Sequence, residues 1–154
     1  MKSLPKALGG ESLEVSYQPG HEESGPEASA TYGDMAGLTV AEEYTTNDTE
    51  SGEPELLTAD ALLAARFGLV FGCAKNSYQG TIKPNDGGYG PGFGSPQKSW
   101  KPMWFSCQID VAEGDDNFKG YAVGWTSKKA AWLVITKDQK TARSLIAGLD
   151  APTR

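Results

Sequence analysis

The stretch MWFSCQIDVAEGDDNFKGYAVGWTSKKAAWLVIT, residues 103–136, decides the fold class. In its first nine residues Met103, Phe105, Cys107, Ile109 and Val111 alternate with Trp104, Ser106, Gln108 and Asp110. Alternation with a period of two predicts a strand with one buried face. The cluster EGDDN (113–117) reads as a turn. Tyr121, Val123 and Trp125 then alternate with Ala122, Gly124 and Thr126, a second strand. Ser127 to Lys129 connect it tightly to AAWLVIT (130–136), whose more continuous apolar character predicts a central strand.

Asp138 follows where a helix N-cap belongs, and Ala142, Leu145, Ile146 and Leu149 recur at i, i+3, i+4, i+7. An apolar helix stripe needs a sheet to cover, and the adjacent meander supplies one. The expected fold is therefore α+β: a small, three-stranded antiparallel sheet under a C-terminal helix, open to extension by strands of an extended N-terminal arm.

Upstream, Thr58 reads as an N-cap with Asp60 in the first turn. ADALLAARF (59–67) predicts a helix through Phe67, with Leu63, Phe67 and Val70 on one stripe. LVFGCA (69–74) fits a continued helix and a buried strand equally well. Residues 76–100, NSYQGTIKPNDGGYGPGFGSPQKSW, read as a long Gly/Pro loop, a length that in compact domains belongs to functional, partner-ordered or mobile segments.

Residues 1–57 differ in kind. Lys2 and Lys6 face twelve carboxylates there, whereas residues 58–154 hold twelve cations and eight acids. The reading is an acidic extended arm (1–57) joined to a mildly basic domain (58–154). Two short arm segments have strand character: Leu13, Val15 and Tyr17 ahead of Pro19-Gly20, and Leu38, Val40 and Tyr44 within LTVAEEYTT. Between them PGHEESGPEASATYGD (19–34) has the composition of a disordered linker. The opposite charge of arm and domain makes the arm a docking element, onto its own domain or onto a neighbouring chain.

The chain holds 19 glycines, nine prolines and 38% hydrophobic residues, so its core must come from the second half. MKSLPKALGGESLEV lacks an apolar run of signal-peptide length, and no segment approaches the roughly 20 apolar residues of a spanning helix. The expectation is a cytosolically made protein without membrane contact, in which the sequon at Asn47 carries little meaning. Cys73 and Cys107, both in apolar runs, read as reduced, buried thiols in preference to the alternative, a disulfide between the two.

Several chemistries are disfavoured. The lone histidine, His21, lies in the acidic arm, far in sequence from any nucleophile it would activate. One histidine and two separated cysteines give no metal-ligand spacing, and no cofactor is expected. Glu42-Glu43 and Asp115-Asp116 are adjacent rather than opposed across a cleft, and Asp110 or Glu113 would need a partner carboxylate in such a cleft. GGYGPGFGS (87–95) lacks the Lys-Ser/Thr of a P-loop, has Phe93 where GxGxxG needs glycine, and precedes a strand rather than a helix.

What remains is binding. Trp100, Lys101, Trp104, Lys119, Lys128 and Lys129 interleave aromatic and basic residues near the meander. Trp104 has the opposite parity to Phe105, which turns it away from the Phe105 core and towards solvent. Single-stranded nucleic acid would stack on such aromatics, but the basic excess is mild for that role. Tyr17 and Tyr44 in the arm, and Tyr89 and Phe93 in the loop, are anchors of the kind used between protein subunits. The leading expectation is a non-enzymatic structural or assembly protein, an accessory or decoration subunit of a virion or other large particle, whose partners are protein subunits including copies of itself. The alternatives are a single-stranded nucleic-acid-binding protein with an autoinhibitory arm, and a small inhibitor or immunity protein.

Overall fold

The computed structural model describes residues 4–20, 25–47, 50–63, 77–80, 83–84, 94–95, 104–113, 116–127, 129–147 and 149. The strands are β1 (Ala7–Leu8), β2 (Glu11–Ser12), β3 (Glu14–Gln18), β4 (Glu27–Tyr32), β5 (Ala36–Glu42), β6 (Tyr44–Thr46) and β7 (Glu55–Leu57). They continue with β8 (Gln79–Gly80), β9 (Lys83–Pro84), β10 (Gly94–Ser95), β11 (Trp104–Glu113), β12 (Asp116–Ser127) and β13 (Ala130–Thr136). Helix α1 is described at 59–63, and α2 spans Gln139–Ile146.

The alternating segments of the C-terminal third pair as their periodicity demands. β11 and β12 form a long hairpin from Trp104↔Trp125 to Glu113↔Asp116, so part of the EGDDN cluster is strand rather than turn. β12 returns into β13 through a tight turn at Lys129, a non-glycine residue at φ 61°. The central position expected of AAWLVIT is real: β13 has β12 on one side and β5 on the other.

β5 marks the main departure from expectation. All seven of its residues pair with β13, from Ala36↔Thr136 to Glu42↔Ala130. β4 pairs with β5 and β3 with β4, giving a seven-stranded antiparallel sheet in the order β3-β4-β5-β13-β12-β11-β8. The chain is thus mostly β, not a three-stranded sheet under one helix. It consists of two meanders, one N-terminal and one C-terminal, zipped together by β5 and β13. The segment 14–42 is not an extended arm but three strands of that sheet, and β4 lies inside the stretch whose composition reads as a linker. Small side chains hide it: in EASATY the apolar set is Ala28, Ala30 and Tyr32, and Ala30 and Tyr32 are fully buried. Tyr44 does not continue β5; it opens β6, which pairs with β7 as a separate ribbon.

Both faces of the sheet are packed, a second reason for the departure. One face carries Phe105, Cys107, Ile109, Ala122, Ala131 and Leu133 under Leu63 of α1. Gly124 sits beneath this contact: a Cβ there would lie 2.9 Å from Phe105 Cζ and 2.9 Å from Leu63 Cδ1. The other face gathers Ala30, Tyr32, Leu38, Trp104, Trp125 and Val134 beneath Leu145 of α2 and Leu4. Burying a leucine such as Leu145 contributes about 1.5–3 kcal/mol. The Tyr32 hydroxyl donates to the Pro5 carbonyl at 2.7 Å, tying the first described residues to this face.

The helix signals hold. Thr58 Oγ1 accepts from the Ala61 N–H at 3.2 Å, and Glu43 Oε1 accepts from the Ala59 N–H at 2.9 Å. Residues 64–67, over which α1 is expected to continue, lie outside the described residues. Asp138 Oδ1 accepts from the Thr141 N–H at 2.7 Å, and α2 buries Ala142 and Leu145. Cys107 departs from expectation: it is buried and disulfide-bonded rather than a free thiol. The chain's one other cysteine, Cys73, lies outside the described residues.

Candidate functional site

The strand registers place one residue from each of six strands in a single cross-sheet row. Trp104 faces Trp125, Trp125 faces Trp132, Trp132 faces Val40, Val40 faces Ala28, and Ala28 faces Tyr17. Residues opposite one another in an antiparallel sheet share a face, so all six side chains point to the α2 side. Trp125 and Trp132 stack with ring centroids 5.6 Å apart and planes 9° from parallel. The Trp132 indole donates to the Ser127 carbonyl at 3.4 Å, whereas the buried Trp125 Nε1 has no hydrogen-bond partner.

Burial changes along this row. Trp104 is 7% exposed and Trp125 0%. Trp132, Val40 and Ala28 are half-buried, and Tyr17 is 63% exposed. The adjacent row ends in Val15, 56% exposed, opposite Ala30. α2 packs against β12 and β13 and covers the inner end of both rows. The outer end is an apolar surface that climbs from Trp132 to the sheet margin.

That margin is β3. Among the described residues it is the terminal strand of the sheet, and all five of its residues are exposed. A strand in this position carries one side of its backbone amides and carbonyls unpaired within the sheet. Val15 and Tyr17 share the apolar face, while Glu14, Ser16 and Gln18 lie on the opposite, polar face. There Ser16 Oγ and Ser29 Oγ are hydrogen-bonded at 2.6 Å.

The residues expected to carry binding are thus separated. Tyr17 lies on the exposed margin. Tyr44 is half-buried in β6 with its ring against Gly25. Trp104 does face away from Phe105, but it enters the second core instead of solvent, so it offers no exposed stacking platform. Lys119 is exposed opposite Asp110, and Lys129 is exposed at the β12–β13 turn, where its carbonyl accepts from the Glu43 N–H at 2.9 Å. Tyr89, Phe93, Trp100, Lys101 and Lys128 lie outside the described residues, as does His21. Val15 and Val40 join this surface without having been expected there: Val15 shares its strand parity with Tyr17, whereas Val40 comes into line only through the β3–β4 and β4–β5 registers.

A concavity, open and about 310 Å³, lies where the β11–β12 hairpin meets the start of α2. Gln108, Asp110, Lys119, Tyr121, Asp138 and Gln139 line it. Asp138 is committed to capping: the Thr141 N–H, then the Thr141 hydroxyl, hold its carboxyl below the usual carboxylate range, with Lys137 and Lys140 adding. A general acid needs the opposite shift. Among the described residues no group of three or more His, Cys, Asp or Glu side chains is placed to hold a metal ion. No helix among them is long and apolar enough to cross a membrane.

No protein-family model, curated protein or solved structure matches the chain.

Proposed function

We propose that this is a non-enzymatic assembly protein, an accessory subunit that joins neighbouring protein subunits through the open β3 margin. The observation that carries this reading is the combination, on one five-residue strand, of an open ladder and the outer end of the aromatic row. Strand addition at such an edge draws affinity from main-chain hydrogen bonds and specificity from alternate side chains. Val15 and Tyr17 are those side chains. Tyrosine is well suited to anchoring, since it brings a large apolar area with few rotatable bonds. The burial of Trp104 weakens the alternative in which this domain stacks single-stranded nucleic acid.

The test is to size the protein in extracts of the cells that make it, beside a Val15→Lys/Tyr17→Lys variant. The expected result is a particle larger than the 16.4 kDa chain for the wild type and a free chain for the variant. A wild type that migrates as a free chain refutes the assembly reading. So does a variant that assembles as well as the wild type.

A further inference from the structure

We infer that the partner at the β3 margin is the β3 strand of a second copy, paired antiparallel about Ser16. This rests on the assembly reading above and names the occupant.

The inference follows from the residues on the strand. In Glu14-Val15-Ser16-Tyr17-Gln18, antiparallel pairing of two copies about Ser16 sets Glu14 against Gln18, Val15 against Tyr17, and Ser16 against its twin. Each pair is compatible. A carboxylate meets an amide that can donate to it, and a β-branched residue meets an aromatic, a favourable cross-strand combination. A hydroxyl meets a hydroxyl. Because Ser16 Oγ already bonds Ser29 Oγ, its remaining lone pair or proton serves the twin. The two Glu14 carboxylates end four positions apart along the strand, about 13 Å. Parallel pairing in register would set them side by side instead.

The geometry of the faces supports the same occupant. Directly opposed residues share a face, so two Val15 and two Tyr17 side chains meet on the α2 side of the sheet. There they form one apolar cluster continuous with Ala28, Val40 and Trp132 of both copies. Val15 and Tyr17, 56% and 63% exposed in the single chain, lie within this contact. The contact is isologous and closes as a two-fold dimer with one continuous sheet. Pro19, just beyond Gln18, has no N–H to offer and ends the ladder there. Natural sheets usually defend such an edge with lysines, a bulge or an internal proline. β3 has no lysine and no proline between Glu14 and Gln18.

The test uses the purified full-length chain. Light scattering over a concentration series should give a mass rising from 16.4 kDa towards twice that value. Tyr17→Lys should raise the dissociation constant about tenfold, since it removes two aromatic–β-branched pairs per dimer. Register is read by cysteine cross-linking on non-reducing gels, with wild type as the background, because Cys107 is already disulfide-bonded. Ser16→Cys should form a covalent dimer on mild oxidation, since opposed Cα atoms in an antiparallel pair lie within disulfide reach. Glu14→Cys alone should not. Glu14→Cys mixed with Gln18→Cys should cross-link as a heterodimer. Unchanged circular dichroism and melting temperature of each variant exclude misfolding as the cause of a negative result.

A purified chain that stays monomeric overturns the inference. If that chain still joins a larger particle through Val15 and Tyr17, the assembly reading stands and the partner is a different protein. A dimer in which Glu14→Cys cross-links to itself while Ser16→Cys does not also overturns it, because the pairing register is then another one.

Discussion

Replacing Gly124 by alanine tests the packing that joins the β11–β12 hairpin to α1. The added methyl would lie 2.9 Å from Phe105 Cζ and 2.9 Å from Leu63 Cδ1, inside van der Waals contact with two fully buried side chains. Both neighbours are buried: Phe105 belongs to the cluster with Cys107, Ala122 and Leu133, and Leu63 packs in the same cluster. Overpacking of this kind costs about 1–3 kcal/mol. Alanine in a strand interior recovers about 0.5–1 kcal/mol of backbone entropy relative to glycine, so the net loss is about 0–2.5 kcal/mol. For a chain of 154 residues this lowers the melting temperature by up to about 10 °C. Urea unfolding followed by tryptophan fluorescence should show a lower midpoint with an unchanged m-value. Phe105→Leu/Gly124→Ala should be less destabilised than the sum of its single changes, since leucine removes the ring atoms that meet the new methyl. A stabilised Gly124→Ala, or strict additivity in the double variant, would refute the stacking of Phe105 over Gly124.

Tyr32→Phe should lose about 1 kcal/mol by removing the hydrogen bond to the Pro5 carbonyl, measured by urea unfolding at neutral pH. Burial also pushes the Tyr32 phenol above its ordinary value near 10. The native state therefore holds this proton more tightly than the unfolded chain, and stability present below about pH 10 falls as the pH rises above it; the Phe variant should show a shallower alkaline decline. Asp138 has the opposite sign: its depressed carboxyl stabilises the native state above the ordinary carboxylate range, and that contribution disappears as the pH falls through about 4 and below. Asp138→Asn keeps a capping acceptor, so melting curves between neutral and acid pH should show a flatter acid limb than the wild type. Reduction of the Cys107 disulfide should lower stability by about 2–4 kcal/mol, read as a drop in urea midpoint on adding reductant.

The C-terminal meander and α2 were legible because their residues are large and strictly periodic: Phe105, Cys107 and Ile109 on one strand, Ala142, Leu145 and Ile146 on the helix. The N-terminal meander was only half legible. Leu13, Val15 and Tyr17 mark β3, but β4 announces itself through Ala28, Ala30 and Tyr32, and alanine carries little strand propensity. Its burial reflects packing in one cluster with Leu38 of the next strand and with Leu4, Trp125 and Leu145, which lie far from β4 in the sequence. Trp104 illustrates the same limit. Alternation correctly assigned it to the face opposite Phe105, yet alternation is silent on whether that face is covered, and the cover comes from Leu145 and Leu4. Of the binding surface, Tyr17 was readable; its alignment with Val40 depends on the β3–β4 and β4–β5 registers, and that with Trp132 on the β5–β13 register as well, none of which a local pattern encodes.

The β5–β13 seam also has a consequence for biosynthesis. Glu42 pairs with Ala130, so the strand that completes β5 is made long after β5 itself. At about 5–20 residues per second the ribosome needs roughly 5–20 s to make the intervening chain. During that interval the nascent N-terminal meander offers two open ladders, one on β3 and one on β5. The second is the more hazardous, since β5 carries Leu38 and Val40 and its proper partner does not yet exist. A newborn chain is therefore open to pairing with the wrong strand on a neighbouring polysome, and slowing elongation before residue 130 should raise the insoluble fraction without altering the finished fold.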